Sequence, residues 1–186
     1  MKIFGIDPGS GRTGYGCVEI LGSRHRLVIC GTLSAPARTS FPDKLKFIHG
    51  GLAVLLAEHR PDCVAVESIF HARNARTALK LGHARGVALL AASEAGLPVA
   101  EYAPAEIKRA VVGFGRAEKH QVQQMVKLLL GLDVLPAPHD AADALAVAIC
   151  HVNRATGVVA DRASLAQRAA DAQPATTLRS WRDYRP

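Results

Sequence analysis

Two apolar runs in this chain end on acids, and an Ala-rich stretch begins on two more. Residues 3–9 read Ile-Phe-Gly-Ile-Asp-Pro-Gly, a buried-strand pattern closing on Asp7. Residues 63–67 read Cys-Val-Ala-Val-Glu, a second such run closing on Glu67. Asp140 and Asp143 stand three positions apart, so on a helix they share a face. A carboxylate is expensive to bury alone, and several converging from separate elements usually share a cation. An all-oxygen donor set suits a hard divalent ion such as Mg²⁺. Two such ions about 4 Å apart assist both the attack of water on phosphorus and the departure of the leaving oxygen. Taken singly, Asp140 could instead cap its helix, and nothing in the sequence brings that helix to the strand ends. Asp7, at the end of a buried strand, is harder to explain as a cap or a surface charge.

The chain around these acids is basic, with a formal charge of +7 and a pI of about 9.6. That balance favours nucleic acid or an anionic membrane as partner. Acids gathered on a positive surface point to metal-assisted cleavage of a phosphodiester backbone. Phe70 lies in Ile-Phe-His-Ala-Arg-Asn-Ala-Arg, residues 69–76, beside Arg73, Asn74 and Arg76. An exposed aromatic among such residues can stack on bases or wedge between them; core packing is the other reading. Lys108, Arg109, Arg116 and Lys119 surround the loop Gly113-Phe114-Gly115, where they can grip phosphates or neutralise transition-state charge. His139 adjoins Asp140 and is open between positioning water and simply starting a helix. The run Asp7–Gly14 also resembles the first phosphate loop of the actin, Hsp70 and sugar-kinase fold. That fold is duplicated and needs a longer chain, and no second loop is present, so phosphotransfer is set aside.

These residues need elements to hold them. Residues 2–7 read as a buried strand broken by Pro8-Gly9-Ser10-Gly11. Two more strands, 14–21 and 25–34, follow around Gly22-Ser23 and suggest an antiparallel meander. The apolar positions Leu45, Ile48, Leu52, Leu55 and Leu56 predict a helix over 41–59. Strands at 62–67 and 97–102 flank a helix over 77–95. Helices follow at 104–112, 117–130 and 139–153. In the 77–95 helix, Leu79, Gly82, Gly86 and Leu90 lie on one side, and Leu81, Ala84, Ala88 and Ala92 on another. One side can cover the sheet; the other needs a second partner, such as a twin subunit. The expected class is α/β, a mixed sheet covered by helices.

A length of 186 residues, 49% hydrophobic, fits one compact domain with an aliphatic core. Residues 1–155 form that domain in this reading, and 156–186 a poorly ordered basic tail. Cys17, Cys30, Cys63 and Cys150 form no CxxC pair, which argues for buried free thiols in a reducing, cytoplasmic setting. No apolar run approaches the roughly 20 residues of a membrane span, and the first residues read into a strand rather than a signal peptide, so no membrane role is expected.

Four stretches, GIDPGSGRTGYG from Gly5, VESIFHARNARTALKLGHARGVAL from Val66, VVGFGRAEKHQVQQMV from Val111 and HDAADALAVAICH from His139, together resemble the RuvC family of bacterial Holliday-junction resolvases. They occur in order across residues 1–153. The resemblance implies a ribonuclease-H-like fold with a five-stranded mixed sheet, and a homodimer. It implies nicking of two like-polarity strands, placed symmetrically across a four-way DNA junction, with two Mg²⁺ or Mn²⁺ ions per active site. The family's four catalytic acids fall on Asp7, Glu67, Asp140 and Asp143, its wedging aromatic on Phe70, and its two functional lysines on Lys108 and Lys119. The branch-migration proteins RuvA and RuvB are the partners it implies. A junction-binding protein without cleavage activity, and a nuclease of the same fold acting on another substrate, are the competing readings.

Overall fold

The computed structural model describes residues 1–22, 24–68 and 74–171, with 156–171 described by backbone alone. The chain divides into two units, Met1–Asn153 and Arg154–Pro186. In the first unit, five strands form one mixed sheet: β1 (Lys2–Asp7), β2 (Thr13–Leu21), β3 (Arg24–Leu33), β4 (Cys63–Glu67) and β5 (Val99–Tyr102). Their order is β3-β2-β1-β4-β5. β1, β2 and β3 are antiparallel neighbours, as the meander predicts, while β4 and β5 run parallel to β1. Helices α1 (Phe41–His59) and α2 (Ala75–Glu94) supply the crossovers that the parallel pairs require. They are followed by α3 (Pro104–Val112), α4 (Lys119–Leu130) and α5 (His139–Asp171).

Alternation along the strands separates two layers. Phe4, Ile6, Cys17, Val64 and Val66 pack with Ile48, Leu52, Ala88, Ala91 and Ala92 of α1 and α2. Ile3, Val18, Cys63 and Ala65 face the other way, onto α3, α4 and α5. α5 is the central helix of that second layer, and Ala141, Ala142 and Ala144 through Cys150 are all buried. Between Ala141 and Cys150 the helix is buried on nearly every side, and that stretch reads as apolar all round.

Small side chains let α5 lie unusually close to the sheet. A Cβ at Gly5 would meet the Ala144 carbonyl oxygen at 2.0 Å, and one at Gly14 would meet the Asp140 carbonyl oxygen at 2.0 Å. Both obstacles are backbone, so no rotamer change relieves them. Caps fix the neighbouring helix starts. The Ser40 hydroxyl accepts from the Asp43 amide at 3.3 Å, and the Gln121 side chain accepts from the Glu118 amide at 2.9 Å. Gly113, at φ +97°, ends α3 in the left-handed conformation that frees the following loop.

The helices expected at 41–59 and 104–112 have those bounds. The last helix does not stop at Asn153 but continues to Asp171. The added stretch is rich in Ala and Arg, good helix formers that outweigh the single Gly157. The cysteines are free thiols, three buried and Cys30 half-buried. Burial raises the Cys63 thiol to about 11. The His151 ring links Cys63 Sγ, 3.3 Å from Nε2, to the Tyr102 hydroxyl, 2.9 Å from Nδ1. Among the described residues, no helix is long and apolar enough to cross a membrane.

Two expected outcomes follow from this packing. Gly5→Ala should cost at least about 2 kcal/mol, read as a lower urea midpoint at unchanged slope. Burial lowers the pKa of His151, so the fold favours its neutral ring. The stability this ring contributes is then complete above its unfolded value, near 6.5, and is lost as the pH falls below it. The melting-temperature gap between wild type and His151→Gln should therefore narrow from pH 7.5 to pH 5; a constant gap would refute the assignment.

Candidate metal centre and nucleic-acid interface

The alternation that sorts the core also aims the acids. Residues 3, 5 and 7 of β1 and 63, 65 and 67 of β4 share the sheet face that α5 covers. β1 and β4 are parallel neighbours with Ile6 opposite Val66, so Asp7 and Glu67 leave the same strand end on the same face. α5 begins at that end because Gly14, paired with Asp7 in the ladder, lies directly against the Asp140 carbonyl. Asp140 and Asp143, in the first turns of the helix, are thereby turned toward Asp7. Carboxylate oxygens of Asp7, Asp140 and Asp143 all lie within 4.8 Å of one another. Glu67 stands beside this triad, lining one pocket of about 510 Å³ with Asp7 and Asp143. The same pocket is lined by Lys108 from α3, Lys119 from α4 and the apolar side chains of Pro104 and Ile107.

This gathering of acids is electrostatically costly. Burial, and then the charges of Glu67, Asp143 and Asp140, push the Asp7 carboxyl up to about 8. Glu67 is raised too, first by burial and then by Asp143. Two cations relieve Asp140 and Asp143. Lys119 Nζ donates to Asp143 Oδ2 at 2.9 Å, and that hydrogen bond is the main reason its own pKa is raised. Arg12 Nη1 lies 3.6 Å from Asp140 Oδ2. The donor set is all carboxylate oxygen, with no sulfur or ring nitrogen in the triad, and Asp7 is left short of positive charge. Both features suit one or more hard divalent cations.

The other expected residues spread around this centre. Arg116 is exposed on the loop between α3 and α4, and Arg76 is exposed in the first turn of α2. Asn74 caps α2, its side-chain oxygen accepting from the Thr77 amide at 2.9 Å. Phe70 and Arg73 lie outside the described residues. His139 turns toward α4 and pairs with the side chain of the buried Gln123, which anchors the start of α5. Arg12 was not legible as a site residue. It lies inside the Gly-rich run after Asp7, but only the path of that loop shows that it reaches Asp140.

A family model described as crossover junction endodeoxyribonuclease RuvC matches residues 3–151. A relative of that name from Trichlorobacter lovleyi is 50% identical over 187 aligned positions, covering 100% of both chains. Another, from Halorhodospira halophila, is 59% identical over 152 residues, covering 82% of this chain and 90% of its own. The solved structure of Thermus thermophilus RuvC superposes with a TM-score of 0.78 at 38% identity, covering 84% of this chain and 96% of that one. The same protein in complex with a Holliday junction substrate superposes at 0.77 and 36% identity, with the same coverage. The yeast mitochondrial Holliday junction resolvase Ydc2, at 14% identity and a TM-score of 0.57 over 81% of this chain, shares the fold. The mixed five-stranded, ribonuclease-H-like architecture expected from the sequence is thus the one found. A model matched across most of its length, and a half-identical relative aligned from end to end, place this chain in the RuvC crossover junction endodeoxyribonuclease family.

Proposed function

We propose that this protein resolves four-way DNA junctions by two symmetric, metal-assisted hydrolytic nicks. The observation that carries this reading is the convergence of Asp7, Asp140 and Asp143 within 4.8 Å at the head of α5, with Glu67, Lys108 and Lys119 in the adjoining pocket. Asp7, Glu67, Asp140 and Asp143 would hold two Mg²⁺ or Mn²⁺ ions. When bound, such ions supply the Lewis acidity that makes water nucleophilic and neutralises the leaving oxygen. The protein's own part is to fix four oxygens on rigid strand ends and one helix, and to bring phosphate to them. Lys119, held by Asp143, presents an ammonium to phosphate in that pocket, and Lys108 supports it. Arg116, Arg76, Asn74 and, following the Glu67 strand in sequence, Phe70 and Arg73 are assigned to the DNA. Residues 1–155 form the nuclease domain in this reading, and 156–186 a basic tail.

Two coordinated nicks require two sites related by a two-fold axis, and the outer side of α2 supports a homodimer. Leu79 is 65% exposed and Leu90 51% exposed, on the same side as Gly82 and Gly86. They border an open apolar groove that also includes Val87 and Leu45. A stripe of this kind suits helix-to-helix pairing across a symmetry axis. RuvA and RuvB are the proposed partners that deliver the junction. Free thiols and a DNA substrate fit a cytoplasmic site of action.

Three experiments test this reading. On a partly mobile synthetic junction with Mg²⁺ or Mn²⁺, the wild type should give paired symmetric nicks, while linear duplex and RNA–DNA hybrid stay intact. Asp7→Asn should lower cutting by about a thousandfold or more and keep junction binding. Cutting of the hybrid alone would instead identify another nuclease of this fold, and tight binding without cutting in either metal a binding module. Because Asp7 is buried among like charges, Asp7→Asn should also raise the melting temperature in chelator at pH 8 by several degrees, on the order of 2 kcal/mol. Leu79→Arg combined with Leu90→Arg should halve the sedimenting mass from twice the 19.7 kDa chain and uncouple the two nicks; an unchanged dimer would place the interface elsewhere.

A further inference from the structure

Among the described residues, Arg12 is the one cation at the acidic centre that neither the motif reading nor the proposed lysine roles employ. Its backbone is well held. Thr13, fully buried, donates its hydroxyl to the Gly9 carbonyl at 3.1 Å and opens β2. Two residues on from Arg12, Gly14 abuts the Asp140 carbonyl, so the head of α5 lies within reach of the Arg12 side chain. The guanidinium meets Asp140 Oδ2 at 3.6 Å, an ion pair too long to be a hydrogen bond. Among the described residues it has no other ion-pair partner. Its side chain is 53% exposed and that of Asp140 31%, so the pair is weak and easily released.

Lys119 holds Asp143 in a tighter arrangement, at 2.9 Å. Asp140 and Asp143 are therefore each met by a side-chain cation, one from the loop before β2 and one from α4, where a metal would otherwise supply the charge. Asp143 and Lys119 line the pocket, whereas Asp140 and Arg12 stand outside its lining. A guanidinium at that rim has donors to spare and the planar fork that fits phosphate. A divalent cation taken up by Asp140 would repel it from its present place.

We propose that Arg12 is a transferable counter-ion: it neutralises Asp140 before metal binds and then passes to a backbone phosphate of the bound strand, at the rim of the site. This rests on the junction-nuclease reading above and adds a residue and a sequence of events to it. Metal uptake and DNA grip become linked through one side chain, because the ion that displaces Arg12 frees it for phosphate.

The test compares wild type, Arg12→Gln and Arg12→Lys in two measurements. In the first, Mn²⁺ is titrated into DNA-free protein by calorimetry. Removing the competitor in Arg12→Gln should tighten Mn²⁺ binding about two- to fivefold. In the second, junction affinity is followed by fluorescence anisotropy across a salt series in Ca²⁺, a looser-fitting ion expected to support binding without turnover; denaturing gels verify that the DNA is uncut. Arg12→Gln should weaken binding about tenfold and make the slope of log K against log salt shallower by about 0.9, while Arg12→Lys keeps the slope. An unchanged slope in Arg12→Gln would overturn the phosphate role. Weaker Mn²⁺ binding in Arg12→Gln would overturn the counter-ion role and make Arg12 a support for Asp140. A wild type that does not prefer junction to duplex counts against the nuclease reading itself, whereas a junction-selective wild type matched by Arg12→Gln counts against Arg12 alone.

Discussion

The close seating of α5 on β1 and β2 is the contact on which the rest of this structure depends. At Gly5 and Gly14 the helix backbone approaches the strands so nearly that a methyl group would strike a carbonyl oxygen at 2.0 Å. This approach fixes the height and rotation of the helix as well as its position. With the head of α5 pressed against the strand that follows Asp7, Asp140 and Asp143 have nowhere to face but the acid at the end of β1. Were the helix an ångström or two higher, as larger side chains at these positions would require, the carboxylates would lose the spacing that lets them share a cation.

That geometry is stabilised by packing and opposed by charge. The buried Ala, Leu, Val and Ile side chains of α5, enclosed between the sheet and the neighbouring helices, hold the acids together against their mutual repulsion. The opposition is visible in Asp7, whose carboxyl is pushed up to about 8 by burial and by its acidic neighbours. Lys119 and Arg12 offset part of it at the rim, but neither pairs with Asp7 among the described residues. A site that would relax by losing a carboxylate, yet keeps it, stores a demand for positive charge that a divalent cation meets.

The sheet divides the labour between its faces. The α3, α4 and α5 face carries the acids, the lysines and most of the pocket lining, to which α2 adds Leu81. The α1 and α2 face is closed internally by Ile48, Leu52 and Leu56 of α1 and the alanines of α2, and leaves Leu79 and Leu90 of α2 outward. Chemistry on one side and an apolar stripe on the other is an arrangement in which two chains can associate without blocking either site. Parallel pairing of β1 with β4 is what permits it. The pairing brings two strand carboxyl ends together and forces the α1 crossover onto the opposite face.

How much of this could be read in the chain depends on the range of the interaction. Strand and helix identities, the ends of α1 and α3, the four acids and the outward stripe of α2 are local: they follow from periodicity, caps and residue type within one segment. The continuation of the last helix to Asp171 was missed because the apolar period fades there while helix propensity persists. Contacts between segments far apart in sequence were a different matter. That Asp140 meets Asp7 across more than a hundred residues, that His139 binds Gln123 rather than the acids, and that Arg12 reaches Asp140 are all consequences of where α5 lands. The sequence by itself determined which residues were available for chemistry and on which face of its own element each would lie, because φ/ψ preference and side-chain period are set within a few residues. Only the tertiary structure decided which faces meet and at what distance, because that is settled by close packing of the whole core, down to the missing methyl groups at Gly5 and Gly14.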